Sequence, residues 1–119
     1  ISYSTGPSGV FLTGLFARWG IAEQVKSRMV QAPPGVPVGT LVARGEVELG
    51  FQQLSELMTL PGIAVVGLLP DEVACITTFS AGLGTQAGAE RIAAVQALLS
   101  FFNSPAAAAI KQRHGMTPA

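Results

Sequence analysis

Val10, Phe11, Leu12, Leu15, Phe16 and Trp19 recur at three- and four-residue steps, the spacing that gathers apolar side chains on one face of a helix. Pro7 and Ser8 open this pattern, and Gly20 stands where a C-terminal cap belongs. Ile1 to Ser4, just before it, reads as a short extended piece. Ala22 to Arg28 predicts a second short helix, and Met29 to Ala32 a strand that runs into Pro33-Pro34-Gly35. Val38 to Arg44 predicts another helix closed by Gly45, followed by a strand over Val47 to Gln53. Ser55 is placed to cap a turn of helix through Met58, and Leu60-Pro61-Gly62 is a turn signal.

The second half has a different texture. Ile63 to Leu69 carries almost no polar residue, the pattern of a strand covered on both faces, and Val73 to Ala81 predicts a longer strand. Gly82 to Gly88 reads as a flexible connection. It resembles a dinucleotide fingerprint superficially, but the spacing is one residue too long and no strand with an acidic residue follows. Ala89 to Phe102 predicts a strongly apolar helix. Ser104-Pro105 then starts a last helix, Ala106 to His114, ended by Gly115. Strands alternating with helices predict an α/β fold, with a mainly parallel sheet and helices on both faces.

Composition narrows the function classes. Apolar residues make up 49% of the 119 and charged residues only 12%, which excludes intrinsic disorder. A chain this long suits one compact domain rather than two. The formal net charge is +0 and the basic residues are scattered, so no nucleic-acid partner is expected. Cys75 is the one cysteine; its apolar neighbours predict a buried, inert thiol. No Cys/His spacing suggests a metal site, and no cofactor is expected. No apolar run reaches the roughly 20 residues of a membrane-spanning helix. The chain opens at Ile1 with no signal peptide, which reads as a start inside a longer protein.

Three loops can carry chemistry, because ligands of open α/β sheets sit where the carboxyl ends of strands meet helix starts. In Ser4-Thr5-Gly6-Pro7-Ser8-Gly9, glycines permit close backbone approach, and the following helix offers unpaired N–H groups to an anion. Pro33-Pro34-Gly35-Val36-Pro37 delivers a second helix start on a stiffened loop. Gly50-Phe51-Gln52-Gln53 ends an apolar strand with two amides; alternation along a strand would turn only one of them to a site. No catalytic set is visible. His114 reads as a solvated helix-end residue, and the carboxylates are spread without convergence.

The runs GPSGVFLTGLFARWGI, PPGVPVGTLVARGEVELGFQQLSEL and LLSFFNSPAAAAIKQRHGM together resemble the bacterial extracellular solute-binding proteins of the molybdate-binding type. The resemblance covers essentially the whole chain, as the C-terminal part of a longer protein. It implies a type II periplasmic-binding fold. Residues 1–75 would be the second lobe, and residues 76–119 a crossover strand and C-terminal helices that pack on a first lobe. It further implies a periplasmic or extracellular location, capture of a small anionic solute, and a membrane permease of an ABC importer as partner. Ligand contacts carried over by matching fall on Pro7, Ser8, Gly9 and Gly35. Gln53 stands where molybdate binders typically place a tyrosine that reaches the ligand, a departure that points away from molybdate itself. Some similar proteins act on small carboxylates, including isomerisation of aconitate. The expected ligand-binding set is Thr5, Gly6, Pro7, Ser8, Gly9, Gly35, Val36, Gln52 and Gln53, with no catalytic residue among them. The apolar face Ile92, Val95, Leu98, Leu99 and Phe102 predicts self-association, including exchange of the C-terminal strand and helices between copies.

Overall fold

The structure is a computed structural model and describes every residue except Ala87 and Ala119. It divides into two compact units, Ile1–Cys75 and Ile76–Ala119.

The first unit is built on three short parallel strands in the order β2-β1-β3: β1 (Ser2–Tyr3), β2 (Val30–Gln31) and β3 (Gly50–Phe51). Ser2 pairs with Val30 on one side and Gly50 on the other, and Tyr3 with Gln31 and Phe51. The ladder extends beyond these residues through Ser2 N–H to Leu49 O at 2.7 Å and Ala32 N–H to Tyr3 O at 2.9 Å. Between β1 and β2 run α1 (Pro7–Arg18), α2 (Ala22–Val25) and a 3-10 turn (Lys26–Arg28). The helix α3 (Val38–Ala43) leads to β3, and α4 (Leu54–Leu57) follows it. α1 and α3 close on Gly20 and Gly45, at φ +70° and +71°, a left-handed geometry that costs glycine little.

Alternation along these strands sends α1 and α3 to opposite faces. Ser2 is fully buried and turns toward α3, its Oγ 3.5 Å from the carbonyl oxygen of Val38. Gly50 shares that face. A Cβ there would stand 2.9 Å from both Ser2 Oγ and Val38 Cγ1, so α3 lies this close only over a glycine. Tyr3 and Phe51 turn the other way, toward α1; the rings of Phe16 and Phe51 meet edge to face at 6.3 Å. Leu12, Leu15 and Phe16 fill the α1 side, and Ala32, Val38, Leu41 and Val47 cluster on the α3 side. Each fully buried leucine among them contributes about 2 kcal/mol of transfer free energy.

The second unit contains α5 (Ala89–Phe102) and α6 (Pro105–Arg113). Ser104 caps α6 as expected, its Oγ accepting the Ala107 N–H at 3.2 Å, with Pro105 in the first turn. α5 buries none of its residues, and Leu98, Phe101 and Phe102 are half exposed. Among the described residues no single helix is long and apolar enough to cross a membrane.

Four expectations are corrected. Ile63 to Leu69 and Val73 to Ala81 form no strand; only a 3-10 turn, Asp71–Val73, interrupts an irregular path. The physical reason is the absence of a ladder partner among the described residues, which leaves Val66 93% and Ile76 90% exposed. Cys75 follows this segment into solvent and is an exposed thiol rather than a core one. Ser55 lies inside α4, whose N-cap is Gln53. Of the Gly82–Gly88 connection, Gly82 to Gln86 and Gly88 lie outside regular structure, and Ala87 lies outside the described residues.

Candidate functional site

The connections that leave the three strands converge on one cleft of about 490 Å³. Ser4 to Ser8 come from the end of β1, Ala32 to Pro37 from the end of β2, and Gln52, Gln53 and Glu56 from the end of β3. The topology explains the place. β1 and β2 are neighbours, yet the helices that follow them leave to opposite faces, and such a switch point opens a crevice at the carboxyl ends of the strands.

The lip beside α1 is organised by hydrogen bonds. Gly6 N–H donates to Ser4 Oγ at 3.2 Å, Ser4 Oγ and Ser8 Oγ are 2.9 Å apart, and Ser8 Oγ donates to Gln52 Oε1 at 2.9 Å. This last bond gives the chain a direction. The Ser8 proton goes to Gln52, so Ser8 accepts from the Ser4 hydroxyl, and the Gln52 NH₂ is left as the free donor end. No side chain caps α1, because its N-cap is Gly6. Pro7 brings no N–H, and those of Gly9 and Val10 both fall on the Gly6 carbonyl at 3.0 and 3.1 Å. The Ser8 N–H therefore has no protein acceptor among the described residues. It lies at the positive end of a 12-residue helix, where a negative group is favoured.

Eight of the nine residues expected from sequence line this cleft: Thr5, Gly6, Pro7, Ser8, Gly35, Val36, Gln52 and Gln53. Gly9 does not. It is buried behind the lip, where a Cβ would run into the Ser4 carbonyl oxygen and lie 3.1 Å from the Tyr3 ring. Its place is packing of α1 on β1. Both glutamines line the cleft, although strand alternation turns only one of them to a site. β3 ends at Phe51, so both lie past the reach of that rule. Gly35, at φ +79° with open space around it, turns the Pro33–Pro37 loop toward the cleft.

Glu56 and Thr59 also line the cleft, and sequence reasoning passed over them. The missed signal is helical: Glu56 stands three residues after Gln53, one turn along α4. Among the described residues the lining contains no Lys, Arg or His, and no cluster of His, Cys, Asp and Glu able to hold a metal occurs anywhere. The arrangement offers neutral donors and one carboxylate. It holds a small polar ligand by hydrogen bonds rather than by ion pairing.

Comparison with known proteins places this chain in a family. The family model described as bacterial extracellular solute-binding protein matches residues 1–117. An aconitate isomerase from Pseudomonas sp. is 40% identical over 121 aligned residues, which take in 99% of this chain and 44% of the relative. The chain thus spans less than half the length of that relative. No solved structure matches it.

Proposed function

The chain belongs to the bacterial extracellular solute-binding protein family, and from that membership we propose that its cleft is one wall of a binding site for a small anion, a carboxylate or an oxyanion. The observation that carries this reading is the lip of α1: a helix-start N–H and a carboxamide NH₂, the latter oriented through two bonded hydroxyls, line one crevice. In this reading residues 1–75 are one lobe of a longer protein with a type II periplasmic-binding fold, and residues 76–119 are its crossover segment and closing helices. The protein works in the periplasm or outside the cell and hands its ligand to the permease of an ABC importer. Titration calorimetry of the intact protein against molybdate, tungstate, sulfate, and di- and tricarboxylates tests it. Saturable binding of at least one is expected; silence across the panel sinks the proposal.

A second reading has its own support in the Pseudomonas relative named aconitate isomerase. On the same scaffold the protein would isomerise a small unsaturated polycarboxylate, a reaction that moves a proton between carbons and needs a base within hydrogen-bond reach. Solvent-deuterium exchange into aconitate, read by proton NMR, discriminates the two. Incorporation supports isomerisation, whereas an unlabelled substrate in the presence of folded protein that binds it leaves only capture.

Self-association of the 119-residue chain, with exchange of its C-terminal part between copies, belongs to the same proposal. It is supported by the apolar residues left exposed at Val66, Leu68, Ile76 and Phe79 and along α5. Sedimentation velocity should find a species heavier than the 12.2 kDa monomer. A single monomeric boundary at all concentrations contradicts it.

A further inference from the structure

The cleft is neutral except at one point. Its donors, the Gln52 NH₂ and the Ser8 N–H, lie beside α1, held in place by the bonded Ser4 and Ser8 hydroxyls. Glu56 faces the same crevice from α4 and is its one ionisable lining side chain among the described residues. Neither of the ion pairs formed among the described residues involves it, since Lys26 pairs with Glu23 and Arg44 with Glu46. An ionised carboxylate only accepts hydrogen bonds, and it repels a second negative charge. A ligand in the crevice therefore meets both hydrogen-bond donors and one charged acceptor.

We infer that Glu56 is a specificity-determining residue: it selects ligands that carry a hydrogen-bond donor, a hydroxyl or a protonated acid group, beside their anionic group, and disfavours oxyanions with no proton to give. This rests on the proposed anion-binding role of the cleft and narrows its ligand class. A hydroxy acid or a partly protonated polyacid satisfies the donors and the carboxylate at once. A bare tetrahedral dianion satisfies only the α1 side and leaves Glu56 facing a like charge. A site built to bond a donor rejects the analogue without it more sharply than it rejects a change of size.

The test compares paired probes on the intact protein: hydrogen phosphate against sulfate, and citrate against tricarballylate, which lacks the hydroxyl. Calorimetry at low ionic strength should show the donor-bearing member of each pair binding tighter. Glu56→Gln should tighten sulfate and tricarballylate by about fivefold and shrink the preference, because the Coulomb penalty across a solvated crevice is of that order. Glu56→Asp, which keeps the charge, should keep the preference. Added salt should weaken the Glu56→Gln effect. Far-UV circular dichroism verifies that the variants fold, and the exposed position of Glu56 makes that the expected result. Binding with the same ratios in wild type and Glu56→Gln overturns this inference alone. Absence of binding by all four probes to every version overturns the anion-binding role together with it.

Discussion

Gly9→Ala is expected to destabilise the Ile1–Cys75 unit by about 3 kcal/mol, the upper end of what overpacking costs. The added methyl would overlap the Ser4 carbonyl oxygen, lie 2.8 Å from the Ser4 carbonyl carbon, and lie 3.1 Å from Tyr3 Cδ2. Two of these three atoms are backbone, so no rotamer change relieves the clash. Relief requires α1 to lift from β1. That motion pulls Ser8 away from Ser4 and Gln52, whose bonds of 2.9 Å set the lip of the cleft. Stability and ligand binding should therefore fall together. Gly14→Ala in the same helix is the control: nothing lies within 4 Å of its Cβ position, so the better helix former should be neutral or stabilising by up to about 1 kcal/mol. Urea denaturation of the two variants reads the contrast. Equal midpoints would show that α1 does not sit on β1 at this distance.

Gln52→Ala should act on binding far more than on stability. The carboxamide oxygen accepts the Ser8 hydroxyl's hydrogen bond, so its NH₂, which has no partner among the described residues, lies at the cleft as a donor. Its loss removes one hydrogen bond to the anion and unfixes the Ser8 hydroxyl. A hydrogen bond to a charged group is worth about 1.5–3 kcal/mol, so affinity should drop by about 10- to 100-fold. The side chain is only partly buried, and its removal leaves no large cavity, so folding stability should change by less than about 1 kcal/mol. Gln52→Glu gives the sign of the electrostatics: a carboxylate there should weaken anion binding at least as much as alanine does. A wild-type affinity in Gln52→Ala would remove this side chain from the ligand's surroundings.

The first half of the fold was legible because its signals are local. Pro7 at a helix start, Gly20 and Gly45 at helix ends and the Pro33–Pro37 loop each act within a few residues, and each stands where its chemistry predicts. The loops then met in one cleft because a parallel sheet brings the ends of its strands together on one edge. The helices Ala89–Phe102 and Pro105–Arg113 are legible in the same way, whereas the stretch from Ile63 to Ala81 is not, for a nonlocal reason. The apolar run Ile63 to Leu69 matches a buried strand in composition, but a strand exists only with a partner, and none pairs with it among the described residues. Cys75 was misplaced with it, since its burial was deduced from the strand assigned around it. Around the cleft, Gly9 and Glu56 show the same limit on a smaller scale. Both neighbour residues that line the crevice, but whether a residue faces it depends on the packing of α1 and α4 rather than on position in a loop.

If the crevice at the carboxyl ends of β1, β2 and β3 holds the ligand, its loops should respond to binding. Amide chemical shifts of the intact, isotope-labelled protein, followed through a titration with a binding carboxylate, read that response. Saturating shifts are expected at Gly6 and Ser8, at Gly35 and Val36, and at Gln52 and Gln53, largest at the Ser8 N–H, with little change along α5 and α6. Saturating shifts that leave these three loops still and move residues elsewhere in the chain would contradict it.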